Sequence, residues 1–181
     1  LAALFPVLLT GCSHCPRIES EPEVRRDTVM ATGATRLSAE TRNGDLVVRS
    51  GEAAGEVAVT AHVVGIAATE DAALAVRDRI EVVTGQQDGV VTVGWKWSTP
   101  PEECEEARVR FEITALPEWF VALESSNGDL AVHGAGGAGV DLQCGNGDVR
   151  VLGVAGPIKA ATSNGAVHVS GSAPTLELET S

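Results

Sequence analysis

From Thr35 onward the chain alternates apolar and polar residues in short runs, the period of a half-buried strand. Leu37, Ala39 and Thr41 alternate with polar neighbours and lead into Asn43-Gly44-Asp45-Leu46, and Val57, Val59, Ala61 and Val63 line one face of a second run. At Thr69 the pattern changes to a short helix near residues 69–80. Thr69 is placed to cap it, Glu70 and Asp71 sit at the positive end of its dipole, and Ala73, Val76 and Ile80 form its apolar side. A hairpin follows, with one strand from Ile80 to Thr84, a turn at Gln87-Asp88-Gly89, and Val91, Val93, Trp95 and Trp97 on one face of the return strand. Val109, Phe111, Ile113 and Ala115 predict another strand, halted at Leu116-Pro117.

Farther on, the alternation acquires a longer period. Asn127-Gly128-Asp129-Leu130 returns as Asn146-Gly147-Asp148-Val149 and as Asn164-Gly165-Ala166-Val167, so the turns stand 19 and then 18 residues apart. Counting back six, four and two residues from each Asn gives Val121, Leu123, Ser125, then Val140, Leu142, Cys144, then Ile158, Ala160, Thr162. Leu176, Leu178 and Thr180 begin a further copy. Counting forward gives Leu130 and Val132, Val149 and Val151, Val167 and Val169. Each unit therefore predicts two short strands with inward apolar positions. Stacked about 4.8 Å apart, like positions would align into columns and build one core that no unit could bury alone. The Asn-Gly corner is read as needing positive φ angles, and its stacked Asn amides are placed to bond one another. Cys144 shares a column with Ser125, Thr162 and Thr180 and is read as a small inward filler. The expected fold class is mostly β: an N-terminal β-rich region with one short helix (30–120), continuous with a C-terminal β-solenoid (121–181).

Composition agrees with many short strands. Val, Ala and Leu supply most of the apolar mass, there is no Tyr, and 20 glycines provide turns. The formal charge of −12 argues against nucleic acid, whose phosphates need a Lys/Arg patch, and against electrostatic docking on an anionic membrane.

The N-terminus points to a membrane in another way. Leu1 to Thr10 is apolar apart from Pro6 and too short to span a bilayer. It reads as the remnant of a signal peptide over residues 1–11. Leu9-Thr10-Gly11-Cys12 looks like the lipobox of bacterial lipoproteins, which makes Cys12 the expected lipidation site and the mature N-terminus. The protein is then extracytoplasmic and lipid-anchored in the cell envelope. Ser13, where Asp would retain it at the inner membrane, points to the outer membrane if the organism has two. Residues 12–29, charged and Pro-containing, are expected to form the lipidated tether. Thr180-Ser181 repeats the pair before Asn164, so the repeats are expected to continue past Ser181.

Candidate chemistry is sparse. Cys12, His14 and Cys15 carry ligand-type side chains, but a lipidated Cys12 has its sulfur used up. A Cys15–Cys104 disulfide is open in an oxidising compartment. His14, His62, His133 and His168 are scattered. Glu102, Glu103, Glu105 and Glu106 lack the alternating spacing of a Ca²⁺ loop and read as a solvated acidic loop. A Ca²⁺ column on Asp129 and Asp148 is interrupted by Ala166. Trp95, Trp97 and Trp119 could stack on sugar rings, but two of them fall on a Val-lined face, and core packing is preferred. No catalytic residue, metal or cofactor is expected.

The run "ITALPEWFVALESSNGDLAV" and the repeats ending in "SSNGD", "CGNGD" and "TSNGA" resemble the bacterial putative-adhesin family, over about residues 30–181. That resemblance implies a domain of unknown function with a C-terminal β-solenoid, and brings no catalytic residues. The expected function is a non-enzymatic, lipid-anchored surface binding or structural module with an envelope protein or polymer as partner. The alternatives are an envelope-stress or regulatory accessory and, less favoured, a β-helix polysaccharide-degrading enzyme, which would need convergent carboxylates and aromatic platforms.

Overall fold

A computed structural model describes residues 16–51 and 55–180. In chain order the elements are β1 (Ile18–Glu19), β2 (Glu23–Met30), β3 (Arg36–Asn43), β4 (Leu46–Ser50), β5 (Glu56–Ala67), α1 (Glu70–Asp78), β6 (Ile80–Gln87), β7 (Val90–Trp97) and β8 (Glu106–Ala115). They continue as β9 (Phe120–Asn127), β10 (Leu130–His133), β11 (Gly139–Asn146), β12 (Val149–Val154), β13 (Ile158–Asn164), β14 (Val167–Gly171) and β15 (Leu176–Thr180). The architecture is mostly β with one short helix, and its two mixed sheets are not closed. No helix among the described residues is long and apolar enough to cross a membrane.

The first sheet runs β1-β5-β8-β4-β10-β12-β14, with β2 also on β5, and the second runs β15-β13-β11-β9-β3-β7-β6. From β9 onward every pairing is parallel, and the chain alternates between the sheets at each Asn-Gly corner. Like positions align as counted: Val121↔Val140, Leu123↔Leu142 and Ser125↔Cys144 on one junction, Val140↔Ile158 and Cys144↔Thr162 on the next. The apolar positions of both sheets meet in one core, in which Phe111, Leu37, Leu46, Leu130 and Leu142 are fully buried. Leu176 and Leu178 are half exposed because β15 is the last described strand and nothing covers its inner face among the described residues.

The unit containing Asn43 belongs to this stack. Strand β3 pairs in register with β9, Leu37 on Val121 and Asn43 on Asn127, and β4 pairs with β10. On the other side β4 adjoins β8 and β3 adjoins β7. The N-terminal end is closed by strands of opposite direction, β5 on β8 and β6 on β7. The helix matches its expected place: the Thr69 hydroxyl accepts the Ala72 N–H at 3.2 Å, and Ala73 and Val76 are buried. The hairpin turn has Asp88 and Gly89 at φ 51° and 78°, a left-handed pair suited to a two-residue connection.

One expectation fails within the described residues. Residues 16–28 are not a tether throughout: β1 and β2 are strands, and β2 pairs with β5 over eight positions from Glu23↔Val63 to Met30↔Glu56. An outer strand needs only its backbone to pair, so charged side chains do not prevent it and instead discourage further pairing. Arg25 on β2 bridges Glu23 at 2.8 Å and also donates to the carbonyl oxygens of Ile80 and Arg77, which pins the strand across the β6 start. Cys12, the expected lipidation site, lies outside the described residues, as does the signal-peptide remnant over 1–11.

Candidate functional site

The polar residues of the repeat are spent on one another. Asn127 Nδ2 donates to Asn43 Oδ1 at 2.9 Å, Asn146 to Asn127 at 2.8 Å, and Asn164 to Asn146 at 2.9 Å. A second ladder follows it. Asp45 accepts the backbone N–H of Asp129, Asp129 that of Asp148, and Asp148 that of Ala166, all at 2.9–3.0 Å. Arg150 spans Asp129 at 2.9 Å and Asp148 at 2.7 Å. The Asp148 N–H bond, and then Arg150, hold the Asp129 carboxyl below its ordinary value. These carboxylates therefore act on the backbone of the next unit, and Ala166 simply lacks the group that would continue the ladder. No cluster of potential metal ligands occurs among the described residues.

Inside the corner runs a third column. Thr41 donates to the Val109 carbonyl at 3.1 Å, Ser125 to Gly44 at 3.2 Å, Cys144 to Gly128 at 3.2 Å and Thr162 to Gly147 at 2.9 Å. Cys144 is thus a hydrogen-bonding filler, and burial raises its thiol pKa. The glycines of the corner are needed for two reasons. Gly128 has φ 142°, and a Cβ there would lie 2.1 Å from the Gly44 carbonyl oxygen. At the Asn-Gly corners positive φ falls on the glycines alone: the Asn residues, also expected to need it, serve the ladder instead.

The acidic loop is partly neutralised: Glu105 pairs with Arg79, which lowers its pKa, and Glu106 pairs with Arg17 at 2.6 Å. Cys104 is disulfide-bonded. Cys15, the partner left open by the sequence, lies outside the described residues. Among the described residues His62, His133 and His168 stay apart, and of these only His62 approaches a carboxylate, Glu112 at 3.9 Å.

The tryptophans divide. Trp119 is buried in the core, as expected. Trp95 and Trp97 are only partly buried, because β7 leaves β3 just before them. The β3–β7 register ends at Ala39↔Val93, while β3 stays with β9 as far as Asn43 and β7 stays with β6 as far as Trp97. The gap is a cleft of about 350 Å³ lined by Trp95, Trp97, Glu40, Arg42, Lys96 and Glu124 among others. Its two indoles meet edge to face, centroids 5.7 Å apart and planes at 70°. The Trp95 Nε1–H is committed to the Thr41 hydroxyl at 3.0 Å, and the Arg79 guanidinium lies 5.7 Å from the Trp97 ring centroid. Glu40 and Glu124 are direct ladder neighbours, and neither has an ion-pair partner among the described residues.

From Glu124 and Ser126, which line the cleft, a shallow trough of about 690 Å³ runs along the outer face of the second sheet past Gln143, Asn146 and Ser163 to Glu179. It crosses β9, β11, β13 and β15. Beside it, a smaller hollow of about 220 Å³ shares Glu40 and Glu124 and reaches Asp141. Asp141 Oδ1 is shut off from solvent and is the one such side-chain atom among the described residues with no hydrogen-bond partner. Glu40, Arg42, Lys96 and Glu124 were not singled out in the sequence. The only signal was Gly94, an outward position of β7 without a side chain, where an added Cβ would meet Glu40 at 3.4 Å.

No family model matches the chain, and no curated protein matches it. Among solved structures it is similar to a putative cell adhesion protein from Clostridium sporogenes ATCC 15579, with 12% identity over 88% of this chain and 98% of that one, at a TM-score of 0.38. It is also similar to a putative adhesin from Bacteroides fragilis NCTC 9343, with 12% identity over 87% and 93% and a TM-score of 0.32. A putative adhesin from Parabacteroides distasonis ATCC 8503 shows 9% identity over 89% and 80%, with a TM-score of 0.41. With every TM-score below 0.5, these likenesses carry no argument about a site or an activity.

Proposed function

We propose that this chain is a non-enzymatic, adhesin-like surface module of the cell envelope, anchored by a lipid at Cys12. In this reading its stacked units form a two-sheet β-solenoid that holds an extended groove toward an envelope or surface partner. The observation that carries the reading is the groove itself, continuous from the Trp95–Trp97 cleft across four successive strands. Repeating units suit extended binding surfaces rather than compact reaction sites. The corner carboxylates of Asp45 and Asp129 and the hydroxyls of Ser125 and Thr162 support the same view, because they bond to neighbouring units and are not left to act on a substrate.

Two measurements test it. The first compares the full-length protein with Cys12→Ala by intact mass and membrane fractionation. Acyl mass and membrane retention, both lost in the variant, are the expected result, and an unlipidated wild type outside the membrane fraction removes the anchor. The second measures retention of the labelled chain on envelope preparations, where Gln143→Arg with Ser163→Arg in the trough is expected to abolish binding. Retention equal to wild type would remove the groove as the binding surface.

A further inference from the structure

We propose that the groove binds a polysaccharide chain, with one sugar ring seated in the Trp95–Trp97 cleft and the following residues lying along the trough. The inference rests on the surface-module reading and names its ligand class. A sugar ring offers an apolar C–H face and a rim of hydroxyls. The cleft offers the complement: two indole walls set at 70°, with Glu40, Glu124 and Arg42 beside them as acceptors and a donor. The Trp95 N–H is already engaged by Thr41, so the indole contributes its apolar surface to a ligand and little else. Charges of both signs line the cleft, which favours an uncharged, polyhydroxylated ligand over a simple anion or cation.

The trough sets the length and excludes other polymers. Its Gln143 and Ser163 side chains are an exposed amide and an exposed hydroxyl, each able to donate and accept, on neighbouring strands about 4.8 Å apart. An extended peptide recognised by strand addition needs an open strand edge, whereas most of this groove lies over β9, β11 and β13, which are already paired on both sides. Nucleic acid would set its phosphates against Glu40, Glu124 and Glu179.

The test titrates the full chain with four uncharged tetrasaccharides: N-acetylated chitotetraose, cellotetraose, maltotetraose and mannotetraose. Tryptophan fluorescence and calorimetry read binding, since two of the three tryptophans line the cleft and the third is buried. At least one tetrasaccharide is expected to bind and shift the fluorescence. Trp97→Ala is expected to weaken it about tenfold. Glu124→Ala and Gln143→Ala, at exposed positions that leave the core untouched, are expected to weaken it about threefold each and keep the proposal testable should Trp97→Ala unfold. Binding by none of the four, or binding that all three variants leave unchanged, overturns the proposal. If the sugars fail while envelope retention persists and is abolished by protease treatment of the envelope, the partner is a protein and the surface-module reading survives. If both fail, both readings fall.

Discussion

Between Phe120 and Thr180 each unit adds beside the one before it, whereas between Ile18 and Ala115, the β6–β7 hairpin apart, paired strands are distant in sequence. Strand β4 lies between β8 and β10, and β3 between β7 and β9, so the first Asn-Gly unit made is the filling of a sandwich completed only later. In the regular part, stability comes from columns: the same small donor, the same glycine and the same amide at each level. In the N-terminal part it comes from bulk and pairing, with Phe111 fully buried and β5 covered by β1, β2 and α1. Repetition thus fixes geometry tightly, and the irregular end is where a pair of strands can part and leave a cleft.

The contrast is broken most sharply by one substitution made in both parts. Gly128→Ala puts a Cβ against the Gly44 carbonyl and is expected to cost about 3 kcal/mol or more in urea denaturation, while Gly33→Ala, with φ 72° but open space around it, is expected to cost about 1 kcal/mol. Equal losses would mean that positive φ, not the close stacking, makes the corner glycine necessary. Next in size is the donor column. Cys144→Val leaves the Gly128 carbonyl unpaired and is expected to cost about 1–3 kcal/mol, while Cys144→Ser, which copies Ser125, is expected to fall within about 0.5 kcal/mol of wild type. A stable valine variant would return Cys144 to the status of mere filler.

Two smaller effects sharpen the picture. Asp141→Thr removes a carboxylate oxygen that is closed off without a partner and is expected to raise the urea midpoint, by about 1 kcal/mol of stability. A lower midpoint would show that Asp141 has a role the static structure hides. The smallest effect is a pH dependence. Because the folded Asp129 pKa lies below its ordinary value, its ladder bond stabilises fully above the unfolded Asp pKa, near 4, and that contribution is lost as pH falls through the lower folded value. Thermal melts from pH 5 down to pH 2 should therefore fall more steeply for wild type than for Asp129→Asn. Parallel curves would assign the acid loss to other groups.

Much of the regular part was legible from sequence, since Val121, Val140 and Ile158 sit where counting from the Asn placed them. Asn43-Gly44-Asp45 was legible as a motif but not as a neighbour of Asn127, because stacking order across a long insertion leaves no local pattern. The strand at Glu23–Met30 was hidden by its charges, which report solvent exposure on an outer strand and nothing about backbone pairing. The cleft was half legible. Alternation put Trp95 and Trp97 on the inward face, correctly, but strand divergence after Val93 is a tertiary event, and it is what leaves them partly open.

The order in which the chain leaves the ribosome gives the placement of β3 and β4 a cost of its own. Residues 36–50 emerge early, yet both of their flanks wait for partners from residues 90–133, so the contacts that protect them are long-range and slow to close. Until then this segment presents strands open on both sides, with Leu37, Leu46, Val47 and Val48 uncovered, the kind of surface on which chains join one another. Residues 120–180 face no such delay, because each new unit can dock on the unit just made. Misassembly during synthesis should accordingly begin at the first Asn-Gly corner rather than along the later ones.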